Sequence, residues 1–279
     1  MRRPRWLRTV PWFSASLLVA LVIVAVSAPG LTPHEPRQQS LLDSFQPPLW
    51  ASAGTSDHPL GTDELGRDVL ANILFGLRVS LLVGFCSVAI SVLLGTPLGL
   101  WAGYRGGPVD AVLMRLVDVQ LSVPTILVAL GVLAVWGSGL WRVILVIGIV
   151  GWAEVARLVR GSVLAERSRE YITAAEALAA GTPRILFRHA LPNVLNGLLV
   201  QVSVMMPRVI ILEATLSFLG LGVSIDTPSL GLMISRGYEY LFSGMWWTST
   251  LPGLALLLLV LSVNLFGDWL RDALDPRAA

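Results

Sequence analysis

Apolar residues come in long runs along this chain, separated by polar stretches that carry most of the Arg and Pro. A helix crossing a bilayer core needs ~20 mostly apolar residues. Six runs approach that length: roughly Trp12 to Ala28, Leu77 to Gly103, Val112 to Trp136, Trp141 to Val159, Val194 to Leu216, and Leu251 to Leu270. The pattern predicts an all-α polytopic membrane protein with six transmembrane helices. Pro29 to Gly76 is polar and reads as an extramembrane loop. Leu219 to Thr250 reads as a second long connection, with Gly220, Gly222, Pro228, Gly231 and Gly237 as breakers. Pro97, Pro124 and Pro207 fall inside runs and are expected to kink them. Gly95, Gly99 and Gly103 recur at four-residue spacing, a pattern that lets helices approach closely.

Composition narrows the class. Hydrophobic residues make up 54% of the 279 and charged residues 14%, with a mean hydropathy of +0.72. Soluble domains carry about 25% charged residues. A soluble globular protein, a disordered chain and a nucleic-acid binder are therefore disfavoured. All 20 basic residues are Arg, and the chain has no Lys. That excludes a Schiff base and a P-loop, whose motif needs its Lys. Cys86 is the single Cys, so neither an internal disulfide nor a Cys-based metal site is available.

Arg asymmetry sets the expected orientation. With the N-terminus in the cytoplasm, Arg2, Arg3, Arg5, Arg8, Arg105, Arg115, Arg157, Arg160, Arg167, Arg169, Arg184, Arg188, Arg271 and Arg277 fall on or near the inner side. Arg37, Arg67, Arg78, Arg142 and Arg236 fall outside, and Arg208 lies within a span. Both termini are expected inside. The first run, with four Arg before it and Val26-Ser27-Ala28 at its end, also resembles a cleavable signal peptide. It is read here as a retained anchor, and cleavage would leave the other five spans oriented as before. Residues 1–57 then form an N-terminal tail, first helix and start of the outer loop. Residues 58–279 form a five-helix core with an inner loop over 160–192.

That inner loop carries the most information. Ser168 can cap a short helix with Glu170 in its first turn. Gly181 ends it, and Pro183 sits where a second helix starts. Tyr171, Ala175 and Leu178 give a narrow apolar stripe, and the rest of the surface is mostly Ala. On these residues alone, a helix lying on the membrane surface and a docking helix both stay open.

The loop resembles the cytoplasmic coupling segment, the EAA loop, of bacterial ABC importer permeases. The surrounding stretches HPLGTDELGRDVL, GLRVSLLVG, MRLVDVQLSVPTILVAL, GWAEVARLVRG, LEATLSFLGLGV and NLFGDWLRDALDP narrow the resemblance to the dipeptide/oligopeptide/nickel permease family. The subunit type is the one with an extra N-terminal span, and the likeness runs from about Pro59 to Arg277. It implies the type I ABC importer permease fold in a multi-pass protein of the bacterial inner membrane. It also implies a sister permease, one fused or two separate ABC ATPase subunits, and an extracytoplasmic substrate-binding protein. Peptides are the implied cargo, with nickel, glutathione or another small cargo of the family as alternatives. Coupling to the ATPase would fall to Glu170, Tyr171, Thr173, Ala174, Ala175, Glu176, Leu178, Gly181, Arg184, Leu191 and Pro192. The family loop reads Glu-Ala-Ala, then Gly four residues after the second Ala. Here Thr173, Ala174, Ala175 and Ala179 hold those positions, and Gly181 comes two residues late. Glu170 and Glu176 are the two candidates to supply the missing charge.

Charges at membrane depth are the remaining chemistry. An ionisable group at the bilayer centre costs about 2.5–3.5 kcal/mol on insertion scales, so it usually faces protein or water. Asp118, Glu154, Arg208 and Glu213 are candidates to line a pathway or gate. Asp268 is read as an end residue that snorkels or pairs within the subunit. No catalytic set is expected. Gly137-Ser138-Gly139 faintly resembles an intramembrane hydrolase motif, but no His lies within a span to serve as base. His34, His58 and His189 are dispersed along the loops, so neither a metal site nor a cofactor is expected in this chain. A self-sufficient secondary transporter should show two similar halves with paired broken helices, and no such repeat is legible.

Overall fold

A computed structural model describes residues 6–172 and 181–274 of the chain, and these are almost entirely helical. In chain order the long helices are α1 (Trp6–Leu31), α2 (Val69–Arg105), α3 (Gly107–Leu121), α4 (Thr125–Trp136), α5 (Leu140–Arg167), α6 (Leu191–Phe218), α7 (Leu230–Tyr240) and α8 (Trp247–Leu274).

The centre of the bundle is the pair α2 and α5, which run parallel in register. Ser87 Oγ donates to the Ile144 carbonyl at 3.1 Å, and Ser91 Oγ to the Gly148 carbonyl at 2.9 Å. Further along the same stripe, Gly95, Gly99 and Gly103 lie against the α5 backbone. A Cβ at Gly95 would sit 2.6 Å from the Trp152 carbonyl oxygen, and one at Gly99 2.6 Å from that of Ala156. At Gly103 it would meet Val163 Cβ at 2.8 Å. The four-residue spacing is thus a packing seam, continued towards the helix start by two serines that bond to backbone carbonyls. The parallel register also fixes the two ends of the molecule. The 32–68 loop, Gly137–Gly139 and the 219–246 segment share one end, where Gly139 N–H donates to Gly222 O at 3.0 Å and Trp247 Nε1 to Thr62 O at 3.1 Å. The α2–α3 turn and the loop after α5 share the other, where Arg167 stacks over the Tyr104 ring.

The run from Val112 to Trp136 is not one straight helix. α3 and α4 meet at an angle of 83° across a short break. Ser122 closes α3 by donating its N–H to Asp118 O, and Pro124, at φ −54° and ψ 126°, starts α4. Proline has no N–H to continue the ladder and disfavours helical geometry at the residue before it. The expected kink is therefore a corner. α2 and α6, by contrast, run unbroken through Pro97 and Pro207.

Length and composition alone pick out fewer than the six expected spans. Among the described residues three helices, α2, α6 and α8, are long and apolar enough to cross a membrane, and the bent α3–α4 pair makes a fourth if taken together. The described apolar part of α1, Ala15–Leu31, is shorter. α5 has the length but not the composition. Glu154 and Arg157 fall in every 18-residue window of it, with Arg142 or Arg160 beside them.

Two further boundaries shift. α2 starts at Val69 rather than near Leu77, because Asp68 caps it by accepting the N–H groups of Leu70 and Ala71. The connection from Leu219 to Thr250 contains α7, an 11-residue helix. Two of its supposed breakers are close-approach sites instead. A Cβ at Gly231 would lie 2.1 Å from the Ala214 carbonyl oxygen, and one at Gly237 2.5 Å from the Thr248 backbone. α1 does not stand apart: its buried Ala25 and Ala28 join a core with Leu259 and Val263 of α8 and Leu74 and Leu77 of α2.

Candidate functional site

Three groups of polar residues stand out against the apolar helices. The first is the loop after α5. Thr173, Ala174, Ala175, Glu176 and Leu178 lie outside the described residues, but both flanks are described. Ser168 does not cap the next helix. Its Oγ turns back to the Ala165 carbonyl at 2.9 Å and closes α5, and helical geometry resumes at Glu170. Tyr171 joins the two ends of the loop. Its hydroxyl donates to Glu166 at the end of α5 and accepts from Asn193 Nδ2 in the first turn of α6, at 2.8 Å. Burial and the neighbouring Glu166 carboxylate push the Tyr171 pKa up, so the hydroxyl stays a donor. Glu166 also holds Arg169 at 3.1 Å. Ile172 and Ile185 are fully buried, so the loop is pinned on either side.

Gly181 is extended and precedes a helical turn, Thr182–Arg184, with Pro183 in its first positions. A π-helical turn, Ile185–Ala190, leads straight into α6. Leu191 and Pro192 therefore belong to the first turn of α6 rather than to the loop. Arg184 is exposed and Glu170 is exposed. Glu166 and Asn193 escaped the sequence reading, since neither lies in the loop motif.

The second group is a ladder of polar contacts along α3, α5 and α6. Arg160 meets Asp110 in a bidentate pair with both N···O distances 2.6 Å. Arg157 pairs with Asp118. Trp152 Nε1 donates to Gln120 Oε1 at 2.8 Å, and Gln120 Nε2 donates to the Val150 carbonyl. Glu154 accepts from Gln201 Nε2 at 3.3 Å and lies 3.8 Å from Arg208. Asp118, Glu154 and Arg208 thus stand in one series. Arg partners for Asp118 and Glu154 follow from charge alone, and Arg157 and Arg208 are those partners, whereas Gln201, Gln120 and the Asp110–Arg160 pair had no signal in the sequence.

Glu154 and Arg208 line a groove between α5 and α6, with Leu121, Thr125 and Ile126 from the α3–α4 corner and Met205 on its far wall. The Arg208 side chain is 67% exposed and that of Glu154 38%. Charges this open are costly against lipid tails, so they usually face water or protein.

The third group holds Glu213, which lies apart from the groove. Its carboxyl is completely enclosed. It accepts from Ser80 of α2 at 3.0 Å, from Ser217 of its own helix at 2.8 Å and from Ser229, just before α7, at 3.0 Å. The arrangement ties three helices together. None of the three serines had been marked by the sequence.

Comparison with known proteins places the chain in a family. Residues 95–279 match the family described as binding-protein-dependent transport system inner membrane component. The chain is 41% identical to the di/tripeptide transport system permease protein DppC of Pseudomonas aeruginosa, over 93% of this chain and 86% of that protein. It is 42% identical to the dipeptide transport system permease protein DppC of Escherichia coli, with the same coverage. It is 35% identical to the oligopeptide transport system permease protein OppC of Bacillus subtilis, over 94% of this chain and 83% of that one. Among solved structures, a chain of the MetNI methionine ABC transporter in an inward-facing conformation superposes with a TM-score of 0.59 at 22% identity. It covers 74% of this chain and 97% of that one. That likeness establishes the fold.

Proposed function

The chain belongs to the binding-protein-dependent transport system inner membrane components, the permeases of ABC importers, and from that premise we propose that it forms half of a translocation pathway for di- or oligopeptides. The observation that carries this reading is the Glu154–Arg208 groove. It is a pair of open charges on the face that α5 and α6 present away from the subunit core. A sister permease supplies the opposite wall, and the charges meet the termini and backbone of a zwitterionic peptide or the water around it. Peptide cargo rests on the names of the relatives. ATP is hydrolysed by separate ATPase subunits, one fused or two, since a Lys-free chain has no phosphate-cradling loop. The segment 160–192 meets them, and a binding protein delivers cargo at the opposite end.

The groove is tested by Arg208→Gln and Glu154→Gln in the assembled transporter. Each is expected to lower peptide uptake by about tenfold, the effect of ~1.4 kcal/mol, with assembly and ATPase binding retained. Unchanged uptake in both variants would place the pathway elsewhere.

Orientation is tested separately. Reporter fusions after Ala53 are expected to read outside and fusions after Arg167 inside, with both termini cytoplasmic. The reverse at either point would sever the 160–192 segment from the ATPases.

A further inference from the structure

The three histidines are scattered in the sequence, yet His34 and His58 come together. His34 follows α1, His58 lies in the middle of the 32–68 loop, and their rings stack with centroids 4.7 Å apart. Between them and α2 stands Asp68. His58 Nδ1 lies 3.7 Å from Asp68 Oδ1, and His34 Nδ1 lies 3.9 Å from Oδ2. These separations are too long for hydrogen bonds. Both Nδ1 atoms are buried without a hydrogen-bond partner. A buried polar atom left unpaired needs an explanation, and two aimed at one carboxylate need a common one.

We propose that His34, His58 and Asp68 form a binding site for a first-row divalent cation of the Zn²⁺ type. One ligand atom from each residue lies within 4.8 Å of the others. A cation held at about 2.0–2.2 Å from nitrogen and oxygen ligands separates them by about 3.4 Å at the tetrahedral angle. The two imidazole nitrogens stand 3.7 and 3.9 Å from the carboxylate oxygens, so the contraction required there is about 0.5 Å or less.

The carboxylate has room for it. Asp68 accepts two helix N–H groups, from Leu70 and Ala71, at 3.3 Å each. A carboxylate has about four acceptor positions, so two remain for the side facing the imidazoles. The start of α2 disfavours a cation through its dipole. The ionised Asp68 offsets this, and Asp43 and Asp57 line the same solvent-connected pocket.

Two imidazoles with one carboxylate suit Zn²⁺, Ni²⁺ or Co²⁺ far better than Mg²⁺ or Ca²⁺, which prefer oxygen throughout. The site would close the loop at three points. It would fasten the exit of α1 and the middle of the loop to the first turn of α2. Because it belongs to the loop end of the bundle, it is separate from the Glu154–Arg208 groove and independent of the cargo reading.

The test uses the full-length chain in detergent, purified on a tag without histidine, stripped with a chelator and dialysed. Zn²⁺ alone is then titrated in competition with a chromogenic chelator. The wild type is expected to bind one Zn²⁺ per chain at micromolar concentration or below, with a rise in thermal midpoint. X-ray absorption of the loaded chain is expected to show two imidazoles on the metal. His34→Ala and His58→Ala are each expected to weaken binding more than about 100-fold, beyond the ~10–100-fold typical of losing an outer-shell partner. His189→Ala, in the opposite loop, is expected to bind as wild type. No Zn²⁺ uptake by the wild type would overturn the proposal, whatever the variants do. So would equal binding by the His34→Ala/His58→Ala double variant. A metal-edge spectrum without imidazole would overturn it as well.

Discussion

Ala175→Arg is expected to abolish uptake and to strip the ATPase subunits from the purified complex, while the chain still enters the membrane at wild-type levels. Ala and Arg both rank among the good helix formers, so helix propensity does not oppose the change. The described flanks also resist the change. Ile172 and Ile185 are buried on either side, and Tyr171 bridges Glu166 and Asn193 across the mouth of the loop. What is lost is the close approach of a partner, since a bulky charge at the core of a contact is disfavoured. Ala129→Leu serves as the contrast. Ala129 is fully buried in α4, and overpacking there costs about 1–3 kcal/mol without touching the loop. It is expected to reduce yield but to retain ATPase in proportion to the permease recovered. Co-purification of ATPase is measured for both. Wild-type ATPase recovery and uptake in Ala175→Arg would reduce the loop to a surface helix.

The second large effect is expected at Glu213, where the choice of substitution separates a structural knot from a gate. Glu213→Leu keeps the volume but removes the acceptor shared by Ser80, Ser217 and Ser229. Hydrogen bonds between membrane helices average about 0.6 kcal/mol and reach about 1.7, so losing the two that reach other elements, from Ser80 and Ser229, costs about 1–3 kcal/mol, and the bond from Ser217 within α6 is lost as well. Yield of folded chain should fall several-fold, and the thermal midpoint with it. Glu213→Gln keeps an acceptor oxygen and is expected to restore yield, thermal midpoint and uptake to near wild type. If Glu213→Gln is stable but transports nothing, the carboxyl is part of the gating machinery and the knot is not its only role.

The contrast between Glu213 and Glu154 marks where the sequence stops being legible. Both are acidic residues inside apolar runs, and no pattern separates them. Depth in the bundle does: one is enclosed by three hydroxyls, the other lies open beside Arg208. Partners such as Ser80 lie far away along the chain, and hydroxyls are too common in helices to signal. The small-residue stripe of α2 was readable because it depends only on its own spacing. The corner at Pro124 was half readable. Apolarity continues smoothly across it, so hydropathy registers one span, and proline alone does not set the angle.

The 219–250 region misled for a related reason. Glycine in such a stretch reads as a backbone breaker, whereas Gly231 and Gly237 serve as contact points for a helix pressed against α6 and α8. The 160–192 loop, proposed to couple to the ATPases, stands out in the sequence as a motif. Its clasp through Glu166, Tyr171 and Asn193 does not, because it joins two different helices. His34 and His58 meet for the same reason, through the folding of a loop with no periodicity to read.

The central claim is that this chain is a permease that transports only with its partners. The most direct measurement is uptake of a labelled dipeptide into proteoliposomes containing this chain, its sister permease, the ATPase subunits and the binding protein. ATP-driven accumulation is expected with all components and none when this chain is left out. The chain reconstituted alone is expected to hydrolyse no ATP. Undiminished uptake without it, or saturable ATP hydrolysis by the chain alone, would contradict the account.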